Sequence, residues 1–286
     1  MKVSLLNKFL LKEYASYMFG IMTLYGFASC FTKVHEFVFR LVELFCKEEY
    51  FCFCIVIFIY ILPFVVVFFY LWIRANMLKH IELNINNTKI VIKFGDLFAE
   101  NGLKTITFNE FFDTQVDDVL ISSRTLNGIF LNKQKEHIVE IEKVISDNEN
   151  FNIIDEAKRE QGKNVRYKLG SIKRYKDYFL VAFSKFDDKN RAYLSLSNYF
   201  ACLMKYWSEV NRVYNGENVV LPLMGSGITR FDNKSVEPQF LLEAILNSFK
   251  YSNLSFSQDF CITLVLSENI DRKINLYSIK ERYYGL

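Results

Sequence analysis

Two uncharged hydrophobic runs, residues 14–32 and 50–73, stand ahead of a long stretch of mixed polarity, and that order constrains the chain most. A helix needs about 20 residues to cross ~30 Å of hydrocarbon, and both runs satisfy that length. The expectation is a transmembrane helical hairpin in residues 1–75 and an α/β domain in residues 76–286. The second run, YFCFCIVIFIYILPFVVVFFYLWI, admits few other readings. The first, YASYMFGIMTLYGFASCFT, is more polar and also suits a buried or interfacial helix. A cleaved signal peptide fits poorly, because Lys8, Lys12 and Glu13 interrupt the early segment and no small-residue cleavage site follows a short apolar core.

Hydrophobic residues make up 51% of the chain, above the ~45–50% usual for soluble chains, and the excess sits before Arg74. A net charge of +3 is too small to argue for nucleic acid, and no basic run carries interleaved stacking aromatics. The six cysteines show neither metal spacing nor a pairable framework. Cys30, Cys46, Cys52 and Cys54 fall in or beside the apolar runs, and Cys202 and Cys261 sit in patterns typical of buried thiols. A reducing, cytoplasmic compartment is the plain reading. Lys2, Lys8 and Lys12 precede the first run, Arg74 and Lys79 follow the second, and Lys33, Arg40 and Lys47 lie between. The positive-inside rule then gives only a slight bias. With no disulfide framework, the expected placement is a multi-pass protein of the bacterial inner membrane with its large domain cytoplasmic. The connector VHEFVFRLVELFCKEE has helical apolar spacing, suiting an interfacial or a solvent-side helix.

After Ile73 the pattern changes. Residues 74–88 read as a connector, KIVIKFGD as a strand running into a turn, and LKTITF as a second strand. Residues 132–165 read as a solvated helix and loop, and residues 178–186 as a strong strand. A helix is expected over residues 195–214, with Leu196, Phe200, Leu203, Trp207, Val210 and Tyr214 on one face and Ser195 as its cap. A strand at 217–223 leads into Pro222-Leu-Met-Gly-Ser-Gly-Ile. A helix follows with Pro238 in its first turn and Leu241, Leu242, Ile245 and Phe249 facing inward. Residues 260–266 form a last strand. This alternation implies a mixed sheet covered by helices, with ligands bound beyond the strand ends.

The chemistry concentrates in two turns. In Gly95-Asp96 a carboxylate at a strand end can accept hydrogen bonds from an exocyclic amine and from backbone amides. In Gly225-Ser226-Gly227-Ile228 the glycines let backbone N–H groups form an anion-binding concavity, and Ser226 adds a hydroxyl. Either turn alone is common. Together, on this strand–helix alternation, they resemble the macro domain, the ADP-ribose-binding fold, over residues 89–286. The resemblance implies a macro-like three-layer α/β domain with a mixed sheet. It puts Asp96 on the adenine amine, Pro222 through Ile228 around the diphosphate, and Phe231 against the distal ribose.

Macro hydrolases carry Asn-Ala-Ala-Asn after the second strand and then a run of glycines. Here Phe108-Asn109-Glu110-Phe111-Phe112-Asp113 and Ile121-Ser122-Ser123-Arg124 stand in those places. Asn109 matches the first Asn, Phe112 stands near the second, catalytic one, and the glycine run is missing. The resemblance therefore implies a reshaped distal pocket without hydrolysis. Asp113, Asp117, Asp118, Ser122, Ser123 and Arg124 are candidates to line it, a solvated acidic loop and turn-capping serines being the plain alternatives.

The phrases NEFFDTQVDD, ISSRTLNGIF, AFSKFDDKNRAYLSL and PLMGSGITRF look like the effector family of Thoeris anti-phage systems, the ThsA type with two membrane helices and a macro-like domain. That resemblance implies a receptor with no catalytic residues and no cofactor or metal. Its ligand would be an ADP-ribose derivative carrying histidine, made by a TIR-domain protein. Asp96, Asn109, Asp113, Ser122, Ser123, Arg124, Gly225, Ser226, Gly227, Ile228 and Phe231 are the expected ligand-binding residues. Binding would drive homo-oligomerisation, disruption of the cell membrane through contact with lipid, and abortive infection. Ser16 and Gly20 offer a close-packing helix face for such assembly, and Pro63 a kink. The alternatives are a membrane-tethered ADP-ribosyl hydrolase, with Asp113 or Asp117 activating water, and a membrane-anchored scaffold with a degenerate pocket.

Overall fold

The first apolar run folds as α1 (Lys8–Ser29), and Asn7 caps it, its Oδ1 accepting from the Leu10 N–H at 2.8 Å. The structure is a computed structural model describing residues 3–29, 32–43, 49–147, 152–187, 190–232, 236–257 and 259–283. It divides into two units, Met1–Leu78 and Lys79–Leu286. In the first, α2 (Thr32–Glu43) and α3 (Glu49–Asn76) follow α1. The chain start is pinned to the end of α3: Trp72 Nε1 donates to Val3 O at 2.9 Å, and Asn76 Oδ1 accepts from Val3 N at 3.0 Å. Tyr14 donates to Phe64 O at 3.2 Å and sets its ring edge-to-face with Phe68.

The expected transmembrane hairpin is not supported. Among the described residues no helix is long and apolar enough to cross a membrane. The described part of the first run lies in α1 as far as Ser29, and Thr32 opens α2. The multi-pass inner-membrane placement and the lipid-breaching hairpin lose their basis with it. Ser16 Oγ donates to Lys12 O of its own helix at 3.2 Å, and nothing lies within 4 Å of a Cβ at Gly20. Cys30 and Cys46 lie outside the described residues.

The second unit contains β1 (His80–Ile85), β2 (Thr88–Phe94), β3 (Leu103–Asn109), β4 (Ile153–Glu156), β5 (Val165–Tyr167), β6 (Ile172–Tyr175), β7 (Tyr178–Phe186), β8 (Ala192–Leu194), β9 (Val219–Pro222), β10 (Arg230–Phe231) and β11 (Cys261–Leu266). Its helices are α4 (Leu126–Lys133), α5 (Ile138–Ser146), α6 (Leu196–Val213), α7 (Pro238–Tyr251) and α8 (Leu276–Tyr283). Nine strands make one mixed sheet in the order β1-β2-β11-β9-β3-β7-β8-β10, with β6 also on β7. β2, β11, β9, β3 and β7 run parallel, so their C-terminal ends share one edge. β1 and β6 run antiparallel to their neighbours, β8 runs antiparallel to β7 and parallel to β10, and β4 pairs with β5 apart from the main sheet.

Local chemistry explains the elements. β7 is central and almost wholly buried, as its β-branched and aromatic content requires. Ser195 caps α6, its Oγ accepting from the Asn198 N–H at 3.1 Å. The buried face of α6 is turned slightly from the expected stripe: Tyr199, Cys202 and Tyr206 are inside, while Leu196 and Phe200 keep 36% and 39% exposure. The large tyrosines win the inner face because Thr105 bonds Tyr206 Oη at 2.7 Å and Met224 O accepts from Tyr199 at 3.0 Å. Pro238 opens α7, and Leu241, Leu242, Ile245 and Phe249 are all buried as expected. Trp207 reaches α7 through Nε1, which donates to Ser248 Oγ at 2.9 Å. Residues 74–88 hold β1 rather than only a connector. Asn86 and Asn87 have φ of 53° and 58° and form the tight turn into β2.

Candidate functional site

The parallel strand ends and the loops leaving them surround a cavity of about 780 Å³, a size suited to a small-molecule ligand. β2 contributes Gly95 and Asp96, β11 leads to Ser267, Asn269 and Ile270, and β9 runs into residues 222–229. β3 supplies Thr107, Phe108 and Asn109, and β7 supplies Phe183, Ser184 and Phe186. The remaining wall is the segment from Leu120 into α4. Among the described residues no cluster of His, Cys, Asp or Glu could hold a metal ion.

Asp96 is exposed on this wall. One carboxylate oxygen accepts from the Phe98 N–H at 3.0 Å, starting the short turn Leu97–Ala99, and leaves the other oxygen for a donor in the cavity. On the next strands, Gly225, Ser226, Gly227 and Ile228 form the wall at the end of β9. Leu223 O accepts from Ser226 N at 3.2 Å and from Ser226 Oγ at 2.7 Å. That tight turn commits the Ser226 hydroxyl to the loop itself, while the N–H groups of Gly225, Gly227 and Ile228 have no partner among the described residues. A row of such N–H groups is a ready anion cradle. Phe231 lies beneath the loop, buried and edge-to-face with Tyr199 at 5.4 Å, and is not on the cavity wall.

Asn109 is on the wall but heavily engaged. Its Oδ1 accepts from Phe111 N at 3.0 Å and Asp113 N at 3.2 Å, and its Nδ2 donates to Asp113 Oδ2 at 2.8 Å. Asp113 is 1% exposed and away from the cavity, accepting from Arg159 Nη1 at 3.0 Å and Lys163 N at 2.7 Å. Phe112 is buried in the hydrophobic core with φ 51°. Glu110, next to Asn109, is also buried; desolvation raises its pKa, and Arg166 at 3.7 Å offsets this only in part.

Ser122 and Arg124 line the cavity, whereas Ser123 does not. Ser123 donates through N and Oγ to Asp118 Oδ1 at 2.8 and 3.1 Å, and these bonds lower the Asp118 pKa. Burial acts to raise the Asp117 pKa, but the Leu120 and Val119 N–H groups outweigh it and the net shift is downward. Arg124 is exposed and makes no ion pair among the described residues. Thr125 caps α4, its Oγ1 accepting from Gly128 N at 3.1 Å. The first turn of α4 therefore presents free N–H groups at the positive end of the helix dipole. Gly128 is required there, since a Cβ would collide with Ser122 O and lie 2.9 Å from Ser122 C.

Of the sequence-predicted residues, the structure brings Asp96, Asn109, Ser122, Arg124, Gly225, Ser226, Gly227 and Ile228 to one cavity, and leaves Asp113, Ser123 and Phe231 off its wall. Sequence reasoning missed Ser267 and Asn269, although Ser267 directly follows an apolar strand and the strand-end rule applies to it. It also missed Phe183 and Phe186, hidden among strand residues, and Asn127 in α4, which lines the cavity and whose buried Oδ1 has no partner among the described residues.

Residues 90–267 match the family described as Thoeris protein ThsA, Macro domain. The chain is 42% identical over 217 residues to the Thoeris protein ThsA of Bacillus amyloliquefaciens (strain Y2), covering 73% of each. A solved Oceanobacillus iheyensis macrodomain with MES bound superposes with a TM-score of 0.40 at 11% identity, covering 73% of this chain and 99% of that one. An Oceanobacillus iheyensis macrodomain with ADP gives 0.40 at 11% identity, covering 71% and 95%.

Proposed function

Because the chain belongs to the Thoeris ThsA macro-domain family, we propose that its second unit is the receptor for an ADP-ribose-type signal in anti-phage defence. The ligand in this reading is histidine-ADP-ribose made by a TIR-domain protein. The observation that carries it is the placement of Asp96 and the 225–228 loop on one cavity wall. Two interstrand steps separate β2 from β9, about 10 Å, which is the span of an adenosine. Asp96 then accepts from the adenine amine, and the N–H groups of Gly225, Gly227 and Ile228 take the diphosphate. Arg124 and the first turn of α4 add positive potential from the facing wall.

Recognition without turnover is the form of this reading that the side chains favour. A hydrolase needs a group that activates water at the distal ribose. Asp113 is closed off by Arg159, Asp117 is occupied by backbone N–H groups, and neither is on the cavity wall. Asn109 has both lone pairs of Oδ1 in use, and Phe112 has nothing to offer a proton. Ligand binding then drives self-association of the chain, for which the exposed stripe of Leu196, Phe200, Met204 and Phe240 supplies apolar surface.

Calorimetric titration of the full chain with ADP-ribose and its histidine conjugate tests the proposal, with recovered ligand weighed by mass spectrometry and particle size followed by light scattering. Saturable binding with intact ligand and growth in size is expected. Conversion of the ligand would replace the receptor by an enzyme, and no binding of either compound would overturn the ADP-ribose reading.

A further inference from the structure

Arg159 does not line the cavity, yet its partner Asp113 holds Asn109, which does. Its side chain is 11% exposed and lies in an ion pair with Asp113, Nη1 standing 3.0 Å from Oδ2 and 3.3 Å from Oδ1. Nη1 also donates to Lys163 O at 2.8 Å, and Nη2 to Asn190 Oδ1 at 3.0 Å. The guanidinium stacks 4.0 Å from the Phe111 ring centre and reaches to 5.8 Å from that of Phe186, a cavity-wall residue. Gly162 shows how closely the surrounding chain is drawn in. Its φ is +88°, and a Cβ there would lie 2.7 Å from Asp113 Oδ1 and 2.8 Å from Arg159 Nη1.

The consequence passes through Asn109. Its amide nitrogen has two N–H groups, and Asp113 Oδ2 takes one at 2.8 Å. Its oxygen is filled by the N–H groups of Phe111 and Asp113. A single N–H therefore remains for the cavity, and its direction is set by where Asp113 holds the other. Asp113 is itself held by Arg159 and Lys163 N. Asn109 ends β3, three interstrand steps from the strand that carries Asp96, about 14 Å. It faces the part of the ligand beyond the diphosphate.

We propose that Arg159 is a positioning residue: by clamping Asp113 it aims the free Asn109 N–H at the distal ribose and so sets the preference for ADP-ribose over ADP. This rests on the ADP-ribose reading. A purely structural arginine would affect both ligands alike.

The test titrates the full chain, Arg159→Met and Arg159→Lys with ADP-ribose and with ADP, which lacks the distal ribose, and checks folding by thermal melting. Arg159→Met is expected to weaken ADP-ribose at least fivefold with ADP held within twofold. Arg159→Lys, which keeps the ion pair, should restore the ratio to within threefold of the parent. Equal changes for both ligands, or none in a folded Arg159→Met, overturn the proposal. Where Arg159→Met does not fold, Asp113→Asn carries the comparison, since its amide offers one acceptor where the carboxylate offers two. A parent that binds neither ligand refutes the ADP-ribose reading instead. The clamp is then judged without ligand by hydrogen exchange of the ¹⁵N-labelled Asn109 side-chain amide. Faster exchange in Arg159→Met is expected, and unchanged exchange overturns the clamp.

Discussion

Gly225 and Phe231 meet where only a hydrogen fits: Gly225 has a φ of +89°, and a Cβ on it would lie 2.9 Å from Phe231 Cζ. Tyr199 braces the same ring at 5.4 Å and donates to Met224 O at 3.0 Å. The 225–228 loop thus rests on an aromatic floor that fixes its height above the sheet.

Gly225→Ala should therefore be far more damaging than Gly227→Ala, whose Cβ would meet nothing within 4 Å. The first adds left-handed strain of about 1–3 kcal/mol and pushes the loop off Phe231. Calorimetry is expected to show at least a tenfold loss of ADP-ribose affinity for Gly225→Ala and less than threefold for Gly227→Ala. Equal effects would mean that the loop does not hold the diphosphate.

Asp96→Ala should weaken ADP-ribose roughly tenfold to a hundredfold, in line with the ~1.5–3 kcal/mol of a hydrogen bond to a charged group. The matching ligand change is the hypoxanthine analogue, which lacks the exocyclic amine. The parent should bind it about as weakly as Asp96→Ala binds ADP-ribose, and the variant should no longer distinguish the two.

At Gly128 the prediction concerns the facing wall. Gly128→Ala forces its new methyl into the Ser122 carbonyl, and backbone cannot yield as a flexible side chain does. Melting should fall by several degrees, and affinity should drop because Ser122 and Arg124 move with that carbonyl. An unchanged melt would mean that α4 shifts freely.

Glu110 gives a pH dependence. Burial raises its pKa, and Arg166 only partly opposes that. A carboxyl whose folded pKa is raised contributes stability below its unfolded pKa and loses it as pH rises through the folded value. Glu110→Gln, which never ionises, should melt higher than the parent at neutral pH, and the gap should close toward about pH 4. A gap that widens in acid would reverse the assignment.

The sequence made the inner elements legible because their patterns are strong. The apolar run of β7, the Ser195 cap and Pro238 at the start of α7 each speak through local chemistry. β1 was less visible, since its alternation in HIELNI is short and its turn uses two asparagines in place of glycine. The hairpin expectation rested on the length and apolarity of two runs alone, and among the described residues no helix is long and apolar enough to cross a membrane. At the site, Asp96 and the glycine loop could be found because strand ends and glycines mark them. Asp113 could not be placed, because its partner Arg159 lies far along the chain in a charged stretch that reads as solvated loop.

The cavity wall is assembled from stretches between Gly95 and Ile270, and β11, which completes the middle of the sheet, is the last strand in the chain. A polypeptide still emerging from the ribosome therefore has no complete cavity until synthesis has passed Ile270. On the reading proposed above, a copy terminated before that point stays deaf to its ligand.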